Sequence, residues 1–442
     1  MIQLSRRTVS VFTISVLLVA GCGRPGSSGT TTEAGCEPFA EFSGHDGKTV
    51  TVYSPIRDIE ADNLVKAWEQ FQDCTGIQID YEGSAEFEKQ IEVRVDEGRS
   101  PDVAFIPQPG LIAKLARAGK LKPAGAGALA NLDKHYPAEW KTYGTVDGEV
   151  YAVPLDGNVK SLVWYSPKWF KEKGYTVPQT WDELISLSGR IAREGVKPWC
   201  AGIESGEATG WPATDWLEDV LLRTAGPDVY DQWLAHEIPF DDHRVVAALE
   251  RVGTILRNPA FVNGGYGDVR SIATTAFQEG GLPIVERKCA MHRQASFYTS
   301  WWPSTAQLTE DGDIYAFYLP PIDPAAGRPV LGAGVFSVAL SDRPEVQAVT
   351  AYISTPHFVN SRAKISDTVS PNRSLDPANL KSPILKLSAE LLLDENVTFR
   401  FDGSDLMPSA VGAGSFWTGM TAWINGADTA TVLAEIEASW PA

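Results

Sequence analysis

The chain has 442 residues, of which 43% are hydrophobic and 21% charged, an ordinary globular composition long enough for two or three domains. Lys plus Arg number 38 against 56 Asp plus Glu, a net charge of −18. That surplus repels phosphate backbones and anionic headgroups, which argues against nucleic-acid binding and against a membrane-surface protein. The 14 Trp, 13 Tyr and 17 Phe supply large rigid faces, enough for an aromatic-lined cleft besides the core.

The N-terminus reads as an export signal. Arg6 and Arg7 precede an apolar stretch from Val9 to Ala20. It is too short to span a bilayer. It ends in Leu18-Val19-Ala20-Gly21-Cys22, which resembles the lipobox of bacterial lipoproteins. The resemblance implies a signal peptide over residues 1–21 and lipidation of Cys22. Ser5-Arg6-Arg7 is a hint of twin-arginine export, beside the general route. Gly23 to Gly35 reads as a flexible tether within a 22–47 extension. Setting Cys22 aside leaves Cys36, Cys74, Cys200 and Cys289, an even number that suggests two disulfides in an oxidising compartment. Three pairings are open. Cys36–Cys74 with Cys200–Cys289 is favoured because each pair falls within one predicted lobe. A four-thiol zinc site would want a C-x-x-C pair, and the sequence has none.

In chain order, Lys48–Tyr53 alternates like a strand, and Asp58–Cys74 has helical spacing that stops at Gly76. Strand Ile77–Glu82, helix Ala85–Glu97, strand Asp102–Ile106 and helix Leu111–Ala118 follow. This alternation implies a parallel sheet covered by helices. Gly125-Ala126-Gly127-Ala128-Leu129-Ala130 has a dinucleotide-like spacing but follows no strand, and reads as a surface loop. A second series begins near Val150. It has strand Ser161–Tyr165, a capping box at Thr180-Trp181-Asp182-Glu183 opening a helix to about Glu194, and strand Pro198–Ile203. Helices are expected over Thr214–Arg223, Arg244–Leu256 and Ser271–Glu279, then a strand over Lys288–His292. Ile314–Leu319 and Val330–Leu340 read as strands. Pro344–Ser354, Ile384–Leu393, Phe416–Ile424 and Thr429–Ser439 read as helices.

Catalytic signatures are sparse. The sequence has no G-x-S-x-G elbow and no H-E-x-x-H, and its six His are scattered. His236-Glu237 and Asp241-Asp242-His243 read as solvated loop, so no metal and no cofactor is expected. The informative residues follow predicted strands, where loops of α/β sheets meet ligands. They are Arg57 and Asp58, Glu86 and Gln108 in the first series. The second supplies Asp156 and Asn158, Trp211, Asp215 and Trp216, then Arg293, Gln294 and Phe297, and the C-terminal stretch adds Asp405 and Trp417. Trp beside carboxylate suits a sugar: the C–H face of a pyranose packs on an indole, and Asp or Arg bonds its hydroxyls. Asp58, Glu86, Asp156, Asp215 and Asp405 are assigned as acceptors, and Arg57, Asn158, Arg293 and Gln294 as donors. Trp211, Trp216, Phe297 and Trp417 are assigned as stacking faces. A pair of carboxylates for glycoside hydrolysis is an alternative use of the same acids.

These residues resemble the extracellular solute-binding lipoproteins of bacterial carbohydrate ABC importers, of the maltose-binding type. Leu115-Ala116-Arg117-Ala118-Gly119-Lys120-Leu121-Lys122-Pro123, Val153-Pro154 with Trp164-Tyr165, and Ala290-Met291 carry the resemblance. Val177-Pro178-Gln179-Thr180-Trp181-Asp182-Glu183-Leu184 is its most specific part. Phe401 to Pro408, Gly414 to Met420 and Tyr53 to Asp58 are similar to the α-glucoside-binding branch. The resemblance implies a two-lobe α/β fold of type II, each lobe a helix-covered, mainly parallel sheet, with a hinge crossed more than once. Lobe one is expected over 48–150 and 314–358, lobe two over 151–313 and 359–442. It further implies a monomer, anchored outside the cell membrane by lipid alone, that hands an α-glucoside to ABC permease subunits. A binding protein for another polar solute and an exported glycoside hydrolase are the alternatives.

Overall fold

The computed structural model describes residues 35–323, 327–394 and 396–441. The expected signal peptide, Cys22 and nearly all of the tether lie outside them. Among the described residues the strands are β1 Thr49–Ser54, β2 Gln78–Gly83, β3 Val103–Ile106, β4 Thr145–Val146, β5 Glu149–Val150, β6 Ala152–Pro154 and β7 Asn158–Val159. They continue with β8 Leu162–Tyr165, β9 Lys197–Trp199, β10 Cys289–Arg293, β11 Tyr315–Tyr318, β12 Pro329–Ala333, β13 Phe336–Ala339 and β14 Thr398–Phe401.

The first sheet has the order β2-β1-β3-β13-β6, and only β13 runs against the others. The second has the order β11-β8-β10-β9, and only β8 is reversed. The first sheet packs in one apolar core, which also takes Leu162, Trp164 and Ala316 of the second sheet, and Val163, Tyr165, Met291 and Phe317 of that second sheet pack in another. A three-stranded sheet, β14-β12-β7, lies where the chain passes between them. One passage is Leu155–Gly157, between β6 and β7; another is Gly334–Val335, between β12 and β13. The fold is thus the two-lobe α/β architecture of type II, with a hinge crossed more than once.

Short-range signals account for most boundaries. Gly76 caps the helix Glu69–Thr75 in the left-handed conformation (φ 72°). The Thr180 hydroxyl accepts from the Glu183 amide, and Glu183 accepts from Gln179 N–H at 2.7 Å, at the start of the helix Trp181–Arg193. Cys36 pairs with Cys74 and Cys200 with Cys289, the favoured pairing. The first disulfide holds the turn Glu37–Phe42 where Phe39 and Phe42 pack on Phe71 and Tyr352.

Several expectations are corrected. Gly125–Ala130 is not a loop: Gly125 caps the helix Ala126–His135, whose Ala128 and Leu132, four apart, are buried. The helix expected over Asp58–Cys74 breaks into Asp58–Lys66 and Glu69–Thr75. The one over Ser271–Glu279 ends at Thr274, because the Thr275 carbonyl and Phe277 amide pair with Glu204 instead. Val330–Leu340 divides at Gly334, where any Cβ would meet Trp140 at 2.6 Å. β11 pairs with β8 in the second sheet, away from the lobe with which residues 314–319 were grouped. Ala363, Leu375, Leu385 and Leu392 pack in the first core, although the 359–442 segment was grouped with the second lobe.

Candidate functional site

Three parallel strands of the first sheet end at one edge, and their following loops reach a cavity of about 190 Å³ between the lobes. Pro55–Arg57 follows β1, Ser84–Ala85 follows β2 and Pro107–Gln108 follows β3. Ligands of open α/β sheets bind at this edge because helix starts and loops, rather than packed side chains, meet there. One water needs about 10–15 Å³ of such space, so the cavity admits a ligand of sugar size.

The opposite wall is aromatic: Trp211, Phe277, Phe297, Trp301 and Trp417 line it. Trp211 and Phe277 pack edge to face, with centroids 5.2 Å apart. Gly210 (φ 118°) starts the Trp211–Ala225 helix, and a Cβ there would lie 2.1 Å from the Trp417 carbonyl. Only glycine lets the two Trp-bearing segments approach so closely. Trp417 donates Nε1 to Ser404 Oγ at 3.3 Å.

Beneath the aromatic wall lies a buried ionic network. Lys160 donates to Asp215 Oδ1 at 2.8 Å and to Asp402. Arg293 Nη2 donates to Asp219 Oδ2 at 2.8 Å, and Arg223 also donates to Asp219. Glu218 accepts from the Gly403 and Ser404 amides at 2.7 and 3.0 Å. Burial, then the Asp402 charge, pushes Glu218 and Asp405 well above the usual carboxylate range. Burial likewise lifts Asp215 to about 7, against the pull of Lys160. Burial also pushes Asp402 up, but the Lys160 ammonium outweighs it and leaves Asp402 low. Asp215, Asp219 and Asp402 face Lys160, Arg223 and Arg293, three acidic side chains against three basic ones. A buried network of this kind persists only when charge is balanced.

Residues 58–275 match the family "Bacterial extracellular solute-binding protein". The chain is 41% identical over 430 residues to the alpha-glucosides-binding periplasmic protein AglE of Rhizobium meliloti, covering 94% of this chain and 92% of that one. It is 40% identical over 438 residues to the osmoprotective compounds-binding protein GgtB of Synechocystis, covering 98% and 99%. The chain belongs to the bacterial extracellular solute-binding proteins. Solved structures carry the same fold at low identity. The bacterial solute receptor AcbH superposes with a TM-score of 0.76 at 20% identity, over 89% of this chain and 98% of that one. Maltose-bound MalE3 of T. maritima superposes with 0.68 at 17%, over 88% and 98%. The relatives are receptors rather than enzymes, and this solute-binding protein is one as well.

The cavity of this solute-binding protein collects Arg57, Gln108, Asp156, Asn158, Trp211, Phe297, Asp405 and Trp417 from the sequence candidates. It does not collect the others. Asp58 and Glu86 are exposed outside it. Asp215 and Arg293 are buried in the network behind the wall. Trp216 packs on Trp199 in the second core, with centroids 5.3 Å apart, and Gln294 is buried directly after Arg293 at the end of β10.

Glu60, Glu88, Lys160, Phe277, Trp301 and Arg362 line the cavity and were not singled out in the sequence. Glu60 and Glu88 stand two residues beyond the chosen acids. Each helical residue turns the direction by about 100°, so a two-residue error reverses the face. Burial, helped by Asp156, raises Glu60 to about 8, and burial raises Glu88 to about 7. Both can therefore present a protonated carboxyl at neutral pH, a donor as well as an acceptor. Gln108 Oε1, Asn158 Oδ1, Trp301 Nε1 and Arg362 Nε are buried without hydrogen-bond partners, which leaves both donors and acceptors for a ligand.

Proposed function

We propose that this protein captures a small neutral sugar of the α-glucoside class in the interlobe cavity and delivers it to the permease of an ABC importer. The observation that carries this reading is the pairing of the Trp211–Phe277–Phe297–Trp301–Trp417 wall with a facing rim of Arg57, Glu60, Glu88 and Gln108. Indole and phenyl faces take the C–H face of a pyranose, and the rim takes its hydroxyls. The name of the AglE relative supports the same solute class. Arg57 and Asn158 act as donors, Asp156 and Asp405 as polar partners, and Trp211, Phe297 and Trp417 as stacking faces. Closure of the lobes around the sugar is the step that the permease would read.

The GgtB relative supports a second reading, an osmoprotective solute. One experiment separates the two. A thermal-shift screen with maltose, sucrose, trehalose and glycine betaine follows binding to the folded state. A rise with an α-glucoside, and the sugar recovered intact, supports the first reading. A rise with glycine betaine alone supports the second, and no rise with any of them rejects both. We also propose that the chain is a monomer anchored outside the cell through lipid on Cys22. A Cys22→Ala variant should then leave the membrane fraction for the soluble one, and a variant that stays with the membrane rejects the anchor.

A further inference from the structure

The cavity touches the hinge at Asp156 and Gly157 of one passage and at Gly334 and Val335 of the other. Asp156 lies in the passage between β6 and β7, and Val335 in the passage between β12 and β13. The Val335 amide donates to Asp156 Oδ1 at 3.1 Å, and the Leu155 amide donates to the Val335 carbonyl at 2.8 Å. Arg362 comes from a third segment, the helix Pro356–Ile365, whose apolar face packs in the first core. Its Nη1 donates to the Leu155 carbonyl at 3.0 Å and its Nη2 to Asp156 Oδ2 at 2.8 Å. One guanidinium therefore holds a passage whose own carboxylate and amide hold the other. Arg362 is 4% exposed and Asp156 7%. Both line the cavity, yet Arg362 Nε is buried with no acceptor.

We propose that Arg362 is the positioning residue that ties a bound solute to the hinge. Its two Nη groups set the relative placement of the two passages. Its Nε–H, which has no acceptor in the protein, is left for a ligand oxygen, so one rigid fork is shared between the solute and the hinge. Lysine cannot replace this arrangement, because an ammonium on a flexible stem lacks the planar fork. The ligand half of the inference rests on the sugar-binding reading above; the hinge half does not.

Arg362→Lys separates the fork from the charge. In the apo protein, hydrogen exchange at the Val335 amide should rise at least tenfold over wild type, because its acceptor is no longer held. With maltose, sucrose or trehalose, whichever stabilises the wild type, affinity should fall at least tenfold. At saturating sugar the decrease in radius of gyration by small-angle X-ray scattering should also be lost. Full compaction at saturation, or unchanged exchange at Val335, overturns the proposal. If Arg362→Lys does not fold, the neutral pair Asp156→Asn with Arg362→Gln is measured in its place, with the same expected losses. A wild type that binds none of the three sugars rejects the sugar reading, and the exchange measurement alone then decides the hinge brace.

Discussion

Lys160 donates to Asp215 at 2.8 Å, and its ammonium also lies 5.0 Å from the centre of the Trp211 ring. A residue of the ionic network thus supports the indole that forms the cavity wall. Cutting that network should be costly. Lys160→Met leaves Asp402 buried without its cation and Asp215 with only Arg293, 3.6 Å away. Removing one partner of a buried pair costs about 3–5 kcal/mol. Urea unfolding at neutral pH should show a loss of that size, and a loss under 1 kcal/mol would mean the acids simply take up protons.

Trp211 and Trp216 should behave differently although both were candidates for stacking. Trp211 is half-buried at the cavity, so Trp211→Ala should weaken sugar binding by about 1–3 kcal/mol, the range for stacking on an aromatic side chain. Trp216 is buried against Trp199, so Trp216→Ala should cost about 3–5 kcal/mol of folding stability. Calorimetry with the sugar and urea titration of each variant distinguish the two effects.

The proton on Glu60 makes a pH prediction. Its folded value, about 8, stands above its ordinary 4.5, so the folded chain binds this proton more tightly than the unfolded one. Stability on this account is full below about pH 4.5 and falls as pH rises toward 8. Glu60→Gln keeps the shape and removes the proton. Its unfolding free energy should exceed wild type at pH 8.5, and its slope between pH 5 and 8 should be flatter. Parallel slopes for the two proteins would contradict this.

The two disulfides should differ in weight. They span 89 and 38 residues. On the chain-entropy account, loops of those sizes restrict the unfolded state by about 4.6 and about 4 kcal/mol. Cys200→Ala with Cys289→Ala should therefore lower the melting temperature more than Cys36→Ala with Cys74→Ala. The reverse order would show that the Cys36–Cys74 bridge acts on the folded state, by holding Phe39 and Phe42 in the first core.

What the sequence alone determined was local or periodic. Alternation and helical spacing marked β1 to β3 and their helices, Thr180 and Glu183 marked a capping box, and Gly76 marked a helix end. From those elements came the order of strands, and with it the loops carrying Arg57 and Gln108. The even set of cysteines pointed to two disulfides, with one of three pairings favoured, and the run Val177–Leu184 carried the family resemblance. Tertiary structure alone decided which faces those residues present. Glu60 rather than Asp58 reaches the cavity because of helix phase at a boundary that sequence places only within a residue or two. Trp216 faces the core and Trp211 the cavity because the helix start at Gly210 must clear Trp417. Arg362, Phe277 and Trp301 meet the same cavity from segments far apart in the chain. No local pattern encodes such meetings, because they arise when two separately packed cores are joined through a hinge.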